Sequence, residues 1–303
     1  MRVIVIGGTG HIGGFLVPKL VELGHEVIVA TRGRKAAPDG PAWRKVTLLK
    51  LPAEAPAAAL AAARPEAIID IVQSRATETY EACRATCRHF IWCGSLWMLG
   101  PPAVVPTPEV RVGPALSAGY QPRMDELVEL QRRCRRDGAA FTAILPPNIC
   151  GPGKVPLEMS GGRSVEVHKA HARGQPVTLF DGCNTLIGPC DAEDVAQGFW
   201  RALENRDAAA GEFFNVGSAY ALTARQMVEL FGEIYGVTIP IRAVPYERFV
   251  TEIMPDAGAS NHFRFHICPD ISKGRTRLGY APRHTPEASM ARAVAWMRRQ
   301  GLL

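Results

Sequence analysis

The sequence predicts an α/β fold in which a Rossmann-type doubly wound parallel sheet is followed by a smaller C-terminal portion. Three observations predict it. The apolar run at residues 3–6 leads into a glycine-rich turn, an amphipathic segment follows the turn, and further short apolar runs alternate with helical segments. A continuous β-branched run is typical of a central parallel strand buried on both faces. Strands that alternate with helices are typical of a parallel sheet covered by helices.

The turn after the first strand has the glycine spacing of a dinucleotide-binding loop. Its glycines allow a tight reversal, close approach of the backbone to a pyrophosphate, and close helix packing. The phosphates would lie on the helix N-terminus, among unpaired N–H groups. A flexible surface turn is the alternative, but the strand predicted at Glu26–Thr31 argues against it. The residues predicted to bind the cofactor here are Gly7, Gly8, Thr9, Gly10, His11, Ile12 and Gly13.

The end of the second predicted strand favours NADP(H) over NAD(H). A carboxylate there usually binds the free ribose 2′-hydroxyl of NAD, whereas arginine accommodates the 2′-phosphate of NADP. The strand runs into Thr31-Arg32-Gly33-Arg34-Lys35, which contains no acid. We therefore predict that Arg32 and Arg34 bind the cofactor. A solvated basic loop is the alternative interpretation, because arginine and lysine are mostly exposed in any protein.

Three polar side chains are predicted at the edge of the sheet where ligands bind, beyond the carboxyl ends of the strands. Ser95 follows the strand His89–Cys93, Asn148 follows a strand at residues 141–145, and Tyr120 lies at the mouth of a helix. Each also has a plainer interpretation: a strand-end hydroxyl, a turn asparagine and a half-buried aromatic residue. His11 is interpreted as a cofactor-edge or helix-surface residue rather than a catalytic one.

The remaining pattern completes the predicted chain. Further strands are predicted at residues 45–49, 67–72 and Val177–Phe180, and helices at residues 53–63, 77–88, 165–173, 191–204 and Ala224–Tyr235. Thr223 and Gly236 would cap the last of these helices. Residues 245–269 have an irregular pattern. We divide the chain into residues 1–150, an NAD(P)-binding Rossmann domain to which later strands and helices return, and residues 151–303, mainly a substrate-binding portion.

The composition narrows the class of protein. Lys and Arg number 35 against 29 Asp and Glu, a net charge of +6, which favours anionic ligands weakly. The sequence has no basic stripe interleaved with aromatic residues, so we do not predict nucleic-acid binding. The eight cysteines form no CxxC pair, so we predict reduced core thiols and no metal site. We expect no secretory signal, no membrane span of about 20 apolar residues, and a cytoplasmic protein.

Further motifs follow in an order that resembles the short-chain dehydrogenase/reductase superfamily, in its extended or atypical branch of NAD(P)-dependent epimerases and dehydratases. The glycine turn is similar to the branch's cofactor turn, and Gly94-Ser95 before Gly100 is similar to its serine-containing segment. The resemblance covers nearly the whole chain. Its other segments are Pro147-Asn148-Ile149-Cys150-Gly151-Pro152, Asp194-Val195-Ala196, Phe214-Asn215-Val216-Gly217 with Leu222-Thr223, and Asp270-Ile271-Ser272-Lys273 with Leu278-Gly279-Tyr280.

The resemblance implies an NADP(H)-dependent oxidoreductase, or an epimerase/dehydratase-like enzyme, that acts at a carbinol or carbonyl carbon of a small molecule. Tyr120 would be the acid/base, Ser95 would orient the substrate oxygen, and Asn148 would contact the substrate. The portion beyond Gly151 would cover the substrate. A homodimer is also common in the superfamily.

One departure from the family pattern falls on the catalytic site. The branch's reductive site has a lysine four residues after its tyrosine, on the same helical face, where the ammonium lowers the tyrosine pKa and holds the nicotinamide ribose. This chain has Met124 there, and no Tyr-x-x-x-Lys occurs anywhere. Arg123 adjoins Met124 but points about 100° away around a helix. Tyr80 is followed four residues later by a cation, Arg84, but we interpret both as surface residues.

The missing lysine leaves two alternatives to an active enzyme. The first is a catalytically lapsed NADP-binding sensor or scaffold protein, which Met124 favours. The second is an RNA-binding atypical relative. The excess of basic over acidic residues permits it, but no specific motif supports it.

Overall fold

The β-branched run that precedes the glycine turn forms the first strand of a computed structural model that describes residues 1–72 and 75–303. The strands are β1 (Arg2–Ile6), β2 (Glu26–Thr31), β3 (Thr47–Lys50), β4 (Ala67–Asp70), β5 (His89–Cys93), β6 (Ala140–Leu145), β7 (Asn148–Cys150), β8 (Val177–Phe180), β9 (Leu186–Ile187), β10 (Pro189–Asp191), β11 (Glu212–Asn215), β12 (Leu222–Thr223) and β13 (Ile241–Val244).

Helices alternate with the strands of the first half and dominate the second. They are α1 (Gly13–Glu22), α2 (Pro56–Ala62), α3 (Ala76–Cys83), α4 (Gln121–Arg136), α5 (Val165–Ala172), α6 (Ala192–Glu204), α7 (Arg206–Ala209), α8 (Ala224–Tyr235), α9 (Tyr246–Arg248), α10 (Ala257–Arg264), α11 (Ser272–Leu278) and α12 (Pro286–Arg299). Short 3-10 turns occur at Trp43–Lys45, Leu96–Leu99 and Ala118–Tyr120, and a π-helical turn occurs at Phe249–Ile253.

The main sheet has seven parallel strands in the order β11-β6-β5-β4-β1-β2-β3. The order reverses between β1 and β4, which is the switch point where ligands bind in doubly wound sheets. In register, Val5 lies between Val29 of β2 and Ile69 of β4. This arrangement confirms the predicted Rossmann-type fold class.

Alternate residues of β1 face two different cores. Val3 and Val5 are fully buried with residues of α1 and α6, whereas Ile4 and Ile6 pack with residues of α2, α3 and α4. A strand buried on both faces needs no polar side, which is why its sequence is continuously apolar. The same burial places the carboxyl end of β1, and therefore the glycine turn, at the centre of the sheet edge.

The chain after residue 150 contributes to both parts of the molecule. β11 returns to the main sheet beside β6, and α6 packs on α1. Three small pairs join β7 with β10, β8 with β13 and β9 with β12. A third apolar core contains residues of α8 and of these strands except β10, whose Cys190 belongs to the core with α1 and α6. α8 begins at a capping box formed by Thr223 and Gln226 and ends at Gly236, whose φ is 71°, so both predicted caps are confirmed. The division of the chain at residue 150 stays a prediction.

Several local predictions differ from the structure. Tyr80, interpreted as a surface residue, is fully buried, because it faces the sheet from α3 and packs edge-on against Phe90. The segment at residues 245–269 is not irregular: it contains α9, the π-helical turn and α10. Because these helices are short, the sequence shows no long apolar period there. α10 begins at a cap in which Asp256 accepts a hydrogen bond from the Ala259 N–H at 2.8 Å.

All eight cysteines are buried, which agrees with the predicted core thiols. Among the described residues, no helix has both the length and the apolar character that a membrane span requires.

Candidate active site

The glycine turn is a compact cradle that side chains larger than hydrogen would fill. Gly7 has a φ of +83°, and a Cβ on it would collide with the Val72 side chain. A Cβ on Gly13 would overlap the backbone of Gly8. The turn is closed by a hydrogen bond of 2.9 Å from the Gly10 N–H to the Gly7 carbonyl. Glycine is therefore required for both conformation and close approach.

The cradle offers hydrogen-bond donors to an anion. Within residues 1–72 and 75–303, no group accepts from the backbone N–H of His11 or of Ile12, directly before α1. Unpaired N–H groups at a helix N-terminus attract phosphate. These residues therefore fit the pyrophosphate of a dinucleotide, whose nicotinamide end supplies or accepts hydride when bound.

The basic loop after β2 lies at the same edge of the sheet. Arg32 and Arg34 are exposed, and the loop is shaped by a hydrogen bond of 3.1 Å from the Gly33 N–H to Thr31 Oγ1. The side chain of Lys50, from the end of β3, lies against Gly33. None of these three cations has a carboxylate within ion-pair distance in the described chain. Lys50 was not identified from the sequence, because only the pairing of β2 with β3 brings it to the loop.

Ser95 and Tyr120 both contact Trp97. Ser95 caps the 3-10 turn after β5, where its Oγ accepts from the Trp97 N–H at 3.3 Å. The ring centroid of Trp97 lies 6.1 Å from that of Tyr120, edge to face. Tyr120 ends its own 3-10 turn immediately before α4. Trp97 therefore contacts both predicted residues, Ser95 through its backbone N–H and Tyr120 through its ring.

Met124 faces the interior and Arg123 faces the tyrosine. Met124 is only 3% exposed and packs in the core below the sheet. The guanidinium of Arg123 lies 5.4 Å from the centre of the Tyr120 ring, on its face. A residue three positions after Tyr120 is a neighbour on a helix surface, so Arg123 reaches the tyrosine although it diverges from Met124.

A further arginine lies in the loop that follows β7. Arg163 is part-buried and donates to the carbonyls of Val155 and Ile149 at 2.8 and 2.9 Å. It interacts electrostatically with Tyr120 and with Glu158. Arg163 was not identified from the sequence, because it belongs to no motif and lies in a glycine-rich segment.

His11 connects the glycine turn to this loop. A Cβ on Gly153 would lie 3.2 Å from the His11 ring, and the carbonyls of Gly151 and Pro152 are within hydrogen-bonding reach. Burial, followed by the charges of Lys154 and Arg163, lowers the pKa of His11 to about 4. Its Nε2 is buried and has no partner among the described residues. At neutral pH His11 is therefore an uncharged polar group between the cofactor turn and the substrate side.

His262, from α10, closes the cluster. Its ring centroid lies 4.6 Å from that of Trp97. Burial and the charge of Arg163 lower its pKa to about 4, so the imidazole is neutral, and its buried Nδ1 has no partner in the part of the chain that the structure describes. The sequence analysis assigned this region only to the portion that would cover the substrate and predicted no role for His262.

Asn148 is 7% exposed in β7, and its backbone N–H donates to the Gly188 carbonyl at 3.3 Å. Its buried Nδ2 has no acceptor among the described residues. A buried amide without a partner is uncommon in proteins. It is therefore available to a ligand, and its substrate contact stays a prediction.

A separate acidic cluster lies between α6 and α12. Asp191, Glu193 and His284 could present ligand atoms to one ion. Arg292 already occupies that position, with Nε 3.0 Å from Asp191 and Nη2 2.9 Å from Glu193. A guanidinium that neutralises two carboxylates leaves this cluster a structural ion pair.

Comparisons with known proteins agree with this geometry. Residues 3–217 match the NAD dependent epimerase/dehydratase family. The chain is 27% identical over 311 residues to 2′-dehydrokanamycin reductase from Streptomyces kanamyceticus, with 99% of this chain and 86% of that protein covered.

Solved structures share the fold. UDP-glucose 4-epimerase from Thermotoga maritima, with UDP-glucose, is 20% identical, with a TM-score of 0.74 and 99% of each chain covered. UDP-glucuronic acid 4-epimerase from Bacillus cereus, in complex with UDP-glucuronic acid and NAD, is 15% identical, with a TM-score of 0.75 and 99% and 100% coverage of this chain and that chain. At these identities the likeness concerns the fold.

Proposed function

Because the chain belongs to the NAD dependent epimerase/dehydratase family, and is thereby an NAD(P)-dependent oxidoreductase or epimerase, we propose that it is an NADP(H)-dependent oxidoreductase acting on a carbonyl or carbinol carbon of a small molecule. The observation that carries the proposal is that Ser95 and Tyr120 both contact Trp97. Both lie beyond the carboxyl ends of the strands, on the edge that holds the glycine turn. Homodimer formation and cytoplasmic location stay predictions.

The proposed roles follow from the chemistry of the two hydroxyls. In the reducing direction, Tyr120 gives its phenol proton to the substrate oxygen, while Ser95 donates a hydrogen bond to the same oxygen and orients it. In the oxidising direction, Tyr120 takes the proton back. The side-chain Nδ2 of Asn148, which has no acceptor among the described residues, would contact another polar group of the substrate.

NADP(H) is the proposed cofactor because of the charges around its expected 2′-phosphate. Arg32 and Arg34, with Lys50 beside Gly33, have no carboxylate partners among the described residues. A free cationic loop favours a phosphate over a hydroxyl, since charge-assisted hydrogen bonds are about twice as strong as neutral ones.

The proposed substrate is a keto sugar or a related cyclic ketone. The curated relative is named as a reductase of 2′-dehydrokanamycin, which supports reduction of a ring ketone. Arg163 and Lys154 carry positive charges that have no ion-pair partners among the described residues. These charges would repel a polycationic substrate. We therefore expect a neutral or anionic substrate to react faster than a polycationic one.

A screen for oxidation of NADPH tests this function. Purified protein is mixed with NADPH and single members of a panel that contains 2′-dehydrokanamycin, keto nucleotide sugars, uncharged keto sugars and imines, and absorbance of the reduced nicotinamide is followed. We expect turnover with at least one ketone and its loss in Tyr120→Phe. Turnover by Tyr120→Phe at the rate of the unmodified protein would contradict the assigned acid.

The sensor alternative remains a distinct candidate because Met124 supplies no charge. It predicts tight NADPH binding with no oxidation of NADPH across the whole panel. Binding measured by nicotinamide fluorescence, together with a silent screen, would favour that function over catalysis.

A further inference from the structure

The loop that follows β7 contacts the glycine turn near its start and α10 near its end. We call residues 151–164 the connecting loop. A Cβ on Gly153 would lie 3.2 Å from the His11 ring, and the carbonyls of Gly151 and Pro152 are within hydrogen-bonding reach of that ring. The first three residues of the connecting loop thus enclose the His11 imidazole. Because the neighbouring N–H groups of the turn fit a pyrophosphate, this part of the loop lies beside the expected cofactor.

The far part of the connecting loop packs directly on the backbone of α10. Gly161 has a φ of +76°, and a Cβ on it would lie 2.5 Å from the Ala259 carbonyl oxygen and 2.8 Å from the carbonyl carbon. Only glycine fits both this backbone conformation and this close approach. Because no space separates the two backbones, a movement of the loop toward α10 requires a movement of the helix.

Hydrogen bonds inside the connecting loop join its two contact points into one folded unit. Glu158 is 1% exposed, and its carboxylate accepts from the Ser160 hydroxyl at 2.9 Å. The Glu158 N–H donates to the Gly162 carbonyl at 3.1 Å. Arg163 donates to the Val155 carbonyl at 2.8 Å, which ties the end of the loop back to its beginning. A packed, hydrogen-bonded segment transmits a displacement instead of absorbing it.

α10 is a short helix whose order depends on the residues around it. It has eight residues, and an isolated helix shorter than about 12–15 residues is marginal in water. Its Asn261 Nδ2 donates to the Leu116 carbonyl at 2.8 Å. Its His262 ring lies 4.6 Å from the ring of Trp97, which also contacts Tyr120. The order of α10 therefore determines how firmly the side of the candidate active site around Trp97 is covered.

We propose that the connecting loop couples cofactor binding at the glycine turn to the order of α10. The N–H groups of His11 and Ile12 hold the phosphates, which restricts the motion of the turn. The turn then restricts the loop at Gly153, and the loop restricts α10 at Gly161. Binding that orders one end of a packed unit lowers the entropy that the other end still has to lose. The proposal rests on the dinucleotide binding that the proposed function assigns to the turn.

Hydrogen exchange measured by mass spectrometry tests the coupling without a substrate. Exchange of the full chain is followed alone and with saturating NADPH or NADH, and peptides from α1 and α10 are compared. We expect the cofactor to slow exchange in both helices, by roughly threefold or more in α10. Unchanged exchange in α10 beside slower exchange in α1 overturns the coupling alone. Unchanged exchange in both helices overturns cofactor binding at the turn, and the coupling with it.

A matched pair of glycine substitutions tests the contact between the loop and α10. Gly161→Ala places a Cβ against Ala259, whereas Gly182→Ala, at a φ of +68°, meets no atom within 4 Å. Both variants have the conformational cost of an alanine at positive φ. In Gly161→Ala we expect the cofactor to slow exchange in α1 but no longer in α10. Gly182→Ala should retain both effects.

The outcome in a folded Gly161→Ala variant decides whether this contact carries the coupling. Slowing of exchange in α10 to the same extent as in the unmodified protein overturns the role of the contact. If Gly161→Ala does not fold, Glu158→Gln replaces the carboxylate that accepts from Ser160 by a side chain of similar size. The slowing in α10 is then required to fall by at least about half in that variant while the slowing in α1 is retained.

Discussion

At the scale of single residues, the candidate site contains buried polar side chains that lack hydrogen-bond partners among the described residues. Asn148 and His262 each bury a polar nitrogen without a partner among the described residues. Leaving such a group unsatisfied costs about 1–3 kcal/mol. Their cost is consistent with a site whose polar groups are completed by cofactor and substrate.

Cofactor preference is expected to depend on Arg32. In Arg32→Ala, affinity for NADPH should fall roughly tenfold or more, since a hydrogen bond to a charged group contributes about 1.5–3 kcal/mol, whereas affinity for NADH should hardly change. Fluorescence titration with both cofactors measures this. Arg44→Ala, also at an exposed arginine, is the control. Equal affinity of the unmodified chain for NADPH and NADH would refute the NADP(H) assignment.

The glycine turn offers a matched pair of substitutions. Gly13→Ala places a Cβ on the backbone of Gly8, whereas Gly14→Ala meets no atom within 4 Å. We expect Gly13→Ala to lower the Tm by roughly 2–8 °C through overpacking of about 1–3 kcal/mol, and to weaken NADPH binding. Gly14→Ala should leave both nearly unchanged. Equal behaviour of the two variants would show that the turn does not have this packing.

At the scale of elements, helix starts position the groups that act. Tyr120 ends a 3-10 turn before α4, so the arginine three residues later covers its ring while Met124 enters the core. Ser95 likewise caps the 3-10 turn after β5. Caps and turns, rather than the regular interior of the helices, therefore bring the hydroxyls to the sheet edge.

The capping box of α8 should contribute measurably to stability. Thr223 accepts from the Gln226 N–H at 3.1 Å, while the Gln226 side chain accepts from the Thr223 N–H at 2.9 Å. Thr223→Ala should reduce the free energy of unfolding by about 1 kcal/mol. Thr276→Ala, at an exposed position inside α11, is the control and should be neutral. Urea denaturation measures both, and similar losses in the two variants would argue against the cap.

At the scale of the whole molecule, five part-buried or buried histidines make stability depend on pH. Burial is the main cause that lowers the pKa of His11, His171 and His262 to about 4, of His89 to about 3, and of His168 below its usual value. Because the unfolded chain binds these protons near pH 6.5, the stability that neutral histidines contribute is complete above pH 6.5. It is lost as pH falls toward 4.

We therefore expect the free energy of unfolding to fall steeply between pH 6.5 and about 4.5. Each histidine that stays neutral in the folded protein lowers the free energy of unfolding by roughly 1.4 kcal/mol for each pH unit in this range. Replacing His89, which bonds to Thr142 Oγ1 at 2.9 Å, by Gln should flatten the slope. Urea titrations across this range measure it; a flat profile would contradict the expectation.

Much of the fold was predictable because parallel sheets require local patterns. The apolar runs and glycine spacing located β1, the cofactor turn and α1, and the caps Thr223 and Gly236 marked α8. Other elements were not predictable. β11 is four residues long and is stabilised by β6, and Tyr80 is buried because of the sheet that α3 covers. Such elements depend on partners distant in sequence.

The sequence by itself determined the family, the glycine turn and the absence of a lysine four residues after Tyr120, because these are matters of residue type and spacing along the chain. Only the tertiary structure decided which side chains gather around Tyr120. Arg123 covers the face of its ring, Trp97 packs edge-on against it, and His262 of α10 packs on Trp97. Such contacts depend on distances through space, which the order of residues does not contain.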